Sequence, residues 1–258
     1  MDIVWVTWGI MVGLFGAMVG SFLNVCIWRI PLEQSIVFPA SHCPVCSHAI
    51  RFYDNVPVLS YLILKGRCRD CHERISPRYP LIEALTGFLA FLLFWKYGLS
   101  IQLLCAFLFT ASLIVVTFID IDYQIIPDVI TLPGIPLCFF AAVFVMGVPF
   151  WESLFGIIGG GGILYAFAIG YERLKKQEGI GGGDIKFLAM LGAFWGWKSL
   201  FFILLVSSCV GALIGIFLVL RFGRDMKYAL PFGPFLVLGA VSYFFFGEAF
   251  YQFLYLPS

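Results

Sequence analysis

Long apolar runs constrain this chain more than any other feature. Stretches of about 18 or more apolar residues read as membrane-crossing helices, because roughly 20 residues of helix traverse the hydrocarbon core. Lipid offers no partner for a backbone N–H or C=O, so a crossing segment must satisfy its own polar groups. The runs predict helices over residues 4–28, 81–97, 101–119, 129–147, 153–171, 184–196, 199–220 and 232–254. The run from 184 is short and glycine-rich, which predicts a tilted or partly irregular segment facing protein or a watery cavity. Only 12% of residues are charged, against about 25% in a soluble domain. An ordinary soluble domain is therefore excluded. The expected fold is an all-α polytopic membrane protein of about eight transmembrane helices. The first run lacks a basic segment before it and an Ala-x-Ala site after it, so it reads as a retained helix. A net charge of +1 gives no reason to expect nucleic acid as a partner; membrane lipid is the expected surrounding.

Charge sets an orientation. With residues 29–80 in the cytoplasm, Arg29, Arg51, Lys65, Arg67, Arg69, Arg74 and Arg78 lie inside. Alternation across eight helices adds Arg173, Lys175, Lys176, Lys186, Arg221, Arg224 and Lys227, and leaves only Lys96 and Lys198 outside. The positive-inside rule selects this arrangement. Both chain termini then face outward. Tryptophans 5, 8, 95, 151, 195 and 197 fall near the external ends, as an interfacial belt does. Gly16-x-x-x-Gly20, Gly156-x-x-x-Gly160 and Gly211-x-x-x-Gly215 fit close helix packing. Generic glycine content of membrane helices explains each pair equally well.

Between the first two helices lie Cys43-Pro-Val-Cys46 and Cys68-Arg-Asp-Cys71. Each CxxC places two thiolates on one tight knuckle, and two knuckles complete an S4 site that suits Zn2+. The spacing between the pairs slightly exceeds the usual zinc-ribbon range. Disulfides are the competing use, which a reducing cytoplasm disfavours. About fifty residues of loop cannot build a sufficient core, and a structural metal would hold them folded. His42, His48 and His72 are alternative ligands or surface residues. Cys26, Cys105, Cys138 and Cys209 stand singly in apolar runs and read as small buried hydrophobes. Expected domains are a first membrane helix (1–30), a cytoplasmic zinc module (31–80) and a seven-helix membrane core (81–258).

Two aspartates sit at the mouths of helices. Asp120 ends one run and opens Asp120-Ile-Asp-Tyr-Gln-Ile-Ile-Pro-Asp128; Asp184 follows Gly181, Gly182 and Gly183. A carboxylate at membrane depth is expensive and marks function. Two carboxylates at close range share one proton, so one can activate water while the other polarises a carbonyl. That chemistry hydrolyses peptide bonds. Asp128 reads equally as a helix N-cap, Asp122 as a solvated or tuning residue, and Asp184 as a capping aspartate favoured by a helix dipole. The three glycines allow a substrate backbone to approach or form a flexible loop. Lys186 reads as a snorkelling, orientation-setting lysine.

Taken together, the motifs resemble the bacterial type IV prepilin peptidases of the GxGD aspartyl protease class, over nearly the whole chain. The matching residues are Gly20-Ser-Phe-Leu-Asn24 with Arg29-Ile-Pro31, the four cysteines, Asn55-Val-Pro57, Ser60-Tyr61, Gly66-Arg-Cys68, Arg78-Tyr-Pro80 with Glu83, the Asp120–Asp128 stretch, and Gly181–Asp184 with Lys186. The resemblance implies Asp120 and Asp184 as the catalytic pair. It implies removal of a short basic leader after a glycine from type IV prepilins and type II secretion pseudopilins, at the cytoplasmic face of the bacterial inner membrane. It further implies N-methylation of the new amino terminus with S-adenosylmethionine, in forms that retain the cysteine module, and a part for Gly66 in that step. No glycine-rich strand–helix fingerprint locates the S-adenosylmethionine site. Three other readings stay open: a peptidase without methylation, a proton-coupled transporter, and a zinc-ribbon scaffold. Carboxylates at one face and the lack of an inverted repeat speak against transport, and a scaffold leaves both aspartates unexplained.

Overall fold

The computed structural model describes residues 3–175, 181–222 and 231–254. Lys176, Arg224 and Lys227 lie outside the described residues, as do the side chains of Arg173 and Lys175. Among the described residues there is no strand, and the elements are helices: α1 (Ile3–Arg29), the short α2 (Leu59–Ile63), α3 (Arg78–Tyr97), α4 (Ile101–Tyr123), α5 (Asp128–Ala141), α6 (Phe150–Lys175), α7 (Gly182–Trp195), α8 (Trp197–Phe222) and α9 (Gly233–Phe253). Every predicted span has its helix. Helix α4 continues past its apolar run and carries Asp120 and Asp122 within its last turn. Helix α5 contains Pro133 and Pro136 and passes into a π-helical turn, Ala142–Met146.

Among the described residues seven helices are long and apolar enough to cross a membrane, and the protein is a multi-pass membrane protein. The expected eighth span, α7, is the exception. Its 14 residues extend only about 21 Å at 1.5 Å per residue, short of the roughly 30 Å hydrocarbon core.

The chain divides into two compact units, Met1–Val115 and Val116–Ser258. In unit 1, α1 and α3 run antiparallel and in close contact. A Cβ at Gly16 would lie 2.5 Å from Ala90 Cβ, and one at Gly20 would lie 2.8 Å from Glu83 Cα. This pair is therefore a packing stripe. Trp5 packs on Phe94 with ring centroids 4.7 Å apart and planes tilted by 36°, so the tryptophan-rich ends of the two helices coincide. The segment 30–77 lies at the other end.

In unit 2, α7 is the centre. It packs on α5, α6, α8 and α9, and every residue from Phe187 to Phe194 is buried. A helix apolar on all sides belongs inside protein, which explains how so short an element is tolerated. Helix α6 lies antiparallel to it. A Cβ on Gly156 would collide with the Gly192 backbone, and one on Gly160 with the Leu188 carbonyl at 2.5 Å. Ser153 Oγ donates to the Ala193 carbonyl at 2.6 Å. The third glycine pair behaves differently: a Cβ on Gly211 would meet Phe235 at an ordinary 3.5 Å.

Candidate active site and metal centre

Four helix ends converge in unit 2. Asp120 comes from the last turn of α4, Asp128 from the first turn of α5, Asp184 from the first turn of α7 and Gly233 from the start of α9. Asp120 is buried, with 5% of its surface exposed. Its Oδ2 accepts the Gly233 N–H at 2.9 Å, one of the N–H groups that a helix start leaves unpaired. A helix N-terminus also carries partial positive charge, which favours a carboxylate there. The Asp184 carboxylate lies within electrostatic range of Asp120. The structure thus brings together the two aspartates singled out in the sequence.

Gly233 has no side chain for a geometric reason. A Cβ there would lie 2.6 Å from Asp120 Oδ2 and 3.2 Å from its Cγ. Sequence reasoning missed this residue. The signal was Pro231 and Pro234 flanking Phe232–Gly233 at the start of the last apolar run, where Pro favours a first helical turn. Gly233→Ala is expected to push the Asp120 carboxylate off its position and lower any reaction that depends on it by about 10²-fold, since a 1 Å misplacement costs that much. The protein should still fold. A kcat measurement, with yield and helical content as controls, checks it.

Of the remaining residues of the constellation, Asp128 and Lys186 depart from expectation, while Asp122 is solvated as one reading had it. Asp128 is not an N-cap: Pro127 occupies that position without a side-chain bond, and Asp128 is the first helical residue. Both Asp128 oxygens accept from Lys186 Nζ at 2.7 Å. Lys186 is therefore tied to α5 instead of reaching away. The pair fastens the first turns of α5 and α7, and Ile126 lies under Gly183, whose added Cβ would sit 2.9 Å away. The Gly-Gly-Asp stretch is a packed helix start. Asp122 is exposed, and at i+2 from Asp120 it faces away from it.

The four cysteines gather in unit 1. Their sulfurs all lie within 4.8 Å of one another, with Cys43–Cys71 at 3.8 Å and Cys46–Cys68 at 4.0 Å. A disulfide requires about 2.05 Å, whereas ligands about 2.3 Å from one zinc stand about 3.8 Å apart in a tetrahedron. The donor set fits zinc. The two knuckles repeat one backbone design. Cys43 N–H donates to His48 O and Ile50 N–H to Ser41 O; Cys68 N–H donates to Glu73 O and Ile75 N–H to Gly66 O. Ser47 and His72 take the same left-handed conformation after the second cysteine of each pair. Backbone N–H groups of Cys46 and Val45 lower the Cys43 thiol to about 7, while desolvation and the neighbouring thiols hold those of Cys46 and Cys71 above their ordinary value. His42, His48 and His72 are exposed and outside the cluster. Gly66 has φ +67°, and a Cβ would come within 2.9 Å of the Tyr61 ring.

The profile of the Bacterial Peptidase A24 N-terminal domain matches residues 14–97, and that of the Type IV leader peptidase family matches residues 107–216. The chain is 38% identical to a prepilin leader peptidase/N-methyltransferase of Pseudomonas putida, over 92% of this chain and 90% of the relative. The chain belongs to the type IV leader peptidase family. Proteins of the same name from Aeromonas salmonicida and Pseudomonas aeruginosa are 38% and 36% identical, over 88% and 87% of this chain and 87% and 86% of theirs. No solved structure matches significantly. Within this family match, Asp120 and Asp184 fall in the peptidase profile, and all four cysteines and Gly66 fall in the N-terminal one. None of these relatives is named as a transporter.

Proposed function

We propose that this protein is a membrane aspartyl endopeptidase that removes the leader from type IV prepilins and pseudopilins, then N-methylates the new amino terminus with S-adenosylmethionine. The observation that carries the first part is the convergence of the helix ends that bear Asp120 and Asp184, within electrostatic range of each other, with Gly233 N–H on Asp120 Oδ2. With Oδ2 accepting from Gly233, Oδ1 is the freer oxygen for a proton shared with Asp184. One carboxylate takes a proton from water as the oxygen attacks the scissile carbonyl. The other, protonated, hydrogen-bonds the carbonyl oxygen and then supplies the leaving amine. Like charges held close make this unequal protonation the stable state.

Cys43, Cys46, Cys68 and Cys71 would hold a structural zinc with no open coordination position, so the metal fixes the module and takes no part in hydrolysis. S-adenosylmethionine, when bound, supplies a methyl group on a sulfonium. Gly66 would serve methylation by letting the Tyr61 ring rest against the chain. We assign 1–30 to the first membrane helix and 31–80 to the zinc module; within 81–258, the part forming unit 2 carries the peptidase. The inner membrane, with the dyad at the cytoplasmic face, is the location that the charge distribution supports.

The test is incubation of purified protein in detergent with a synthetic prepilin peptide and S-adenosylmethionine, read by mass spectrometry. The expected product lacks the leader and has gained one methyl group. A product without the methyl group would reduce the assignment to peptidase alone, and an intact peptide would overturn it.

A further inference from the structure

Unit 1 holds a cavity of about 1090 Å3 whose lining includes neither Asp120 nor Asp184. One end is walled by Ser21, Asn24 and Trp28 of α1 with Tyr79 and Glu83 of α3; the other end reaches the two cysteine knuckles. Small-molecule sites typically occupy about 300–1,000 Å3, so the space suits a nucleoside-sized ligand together with a peptide end. Three of its four arginines are engaged. Arg69 grips Asp54 with bonds of 2.8 and 2.5 Å, Arg51 lies 3.8 Å from Asp70, and Arg29 donates to the Ser35 and Pro39 carbonyls.

Glu83 is different. Among the described residues no cation pairs with it, although it is half-buried in a membrane helix. Its Oε2 accepts the Val58 N–H at 2.7 Å, while the Ser21 hydroxyl on α1 donates to Asn55 Oδ1 at 3.3 Å. The Val58 amide is aimed by backbone strain. Val58 has φ 60° and ψ −48°, and Leu59 N–H reaches back to Pro57 O at 2.5 Å. This is the rare hand of γ-turn, which a β-branched residue adopts only where its surroundings enforce it. Such strain gathers at functional sites. A fixed carboxylate near the start of a membrane helix, with no cationic partner, is complementary to one supplied by a ligand.

We propose that this cavity is the methyl-transfer chamber and that Glu83 receives a primary ammonium group within it. The assignment rests on the N-methyltransferase reading above. The ammonium is that of the newly exposed amino terminus or that of S-adenosylmethionine itself. In the first case Glu83 takes a proton from the terminal ammonium. The freed nitrogen lone pair attacks the sulfonium methyl carbon, and the C–S bond breaks with its electron pair passing to sulfur. A neutral thioether and a methylated ammonium leave, and Glu83 returns its proton to water.

The experiment uses the full chain in detergent, wild type and Glu83→Gln, with zinc content and leader cleavage as integrity controls. S-adenosylmethionine affinity is measured by calorimetry, and methylation is measured on a peptide that already has a free amino terminus. Unchanged affinity with methylation reduced about 10²- to 10⁴-fold assigns Glu83 to the acceptor amine. Affinity weakened tenfold or more assigns it to S-adenosylmethionine. Wild-type affinity and methylation in the variant overturn the proposal and leave the methyltransferase reading standing. A wild-type protein that neither binds nor transfers ends that reading and this assignment with it. If the variant loses zinc, photo-crosslinking of labelled S-adenosylmethionine to the wild type decides. Label within residues 21–83 is expected, and label within 116–254 overturns the chamber.

Discussion

Asp120→Asn and Asp184→Asn are each expected to lower leader cleavage by about 10⁴-fold, the upper range for loss of a positioned acid–base group. Asparagine keeps the size of the side chain and can still accept the Gly233 N–H, so the converging helix ends should hold. It cannot carry the shared proton or take one from water. Both variants should therefore purify in normal yield with normal zinc. A peptide-cleavage assay with mass readout measures the loss. The double variant should be no worse than either single one, because the two groups act as one unit. Near-normal turnover in either single variant would remove the dyad from the mechanism. Asp122→Asn is the control, since Asp122 is exposed and faces away from Asp120.

Removal of zinc should have the other large effect. Among the described residues between 30 and 77, Cys43 is the one buried hydrophobic side chain, while Val37, Phe38 and Phe52 are 67%, 76% and 88% exposed. A segment without a core has little but the metal to hold it. Zinc-finger peptides gain about 10–16 kcal/mol from such a site at neutral pH, and that binding energy is their folding energy. Chelation, or Cys43→Ser, should release the metal and make residues 31–77 sensitive to protease. Helical content should change little, because the long helices lie elsewhere. Methylation should be lost and cleavage should fall less. Metal analysis with limited proteolysis distinguishes this from global unfolding, in which both activities would fall together.

The helices were legible because lipid makes hydrophobicity nearly sufficient. A run such as 199–220 has few alternatives to a spanning helix, and α8 is there. The tetracysteine cluster was legible for a similar reason, since two intact CxxC pairs leave little freedom. The shortfall of α7 was visible as a short run, but not its cause. Its enclosure follows from Gly156, Gly160 and Ser153, which belong to another helix. Lys186 and Asp128 lie far apart in the chain, so each looked self-explanatory, as a snorkelling side chain and a cap. Their pairing is a fact of folding. Gly233 is the clearest case. Its partner is Asp120, more than a hundred residues earlier, and a single glycine in a Pro-x-Gly-Pro context carries no mark of that neighbour. The γ-turn at Val58 was equally silent, because valine is the residue least expected to bend that way.

The enclosure of α7 bears on how the protein is made. A segment of 14 residues gains too little from hydrocarbon to be handed to the bilayer alone. Its glycine contacts with α6 mean that the two can enter as a hairpin, with the longer arm carrying the shorter. Asp184 then reaches its place only when that hairpin has settled among α5, α8 and α9. The place of the Asp184 carboxylate is thus defined only where α7 is enclosed by its neighbours.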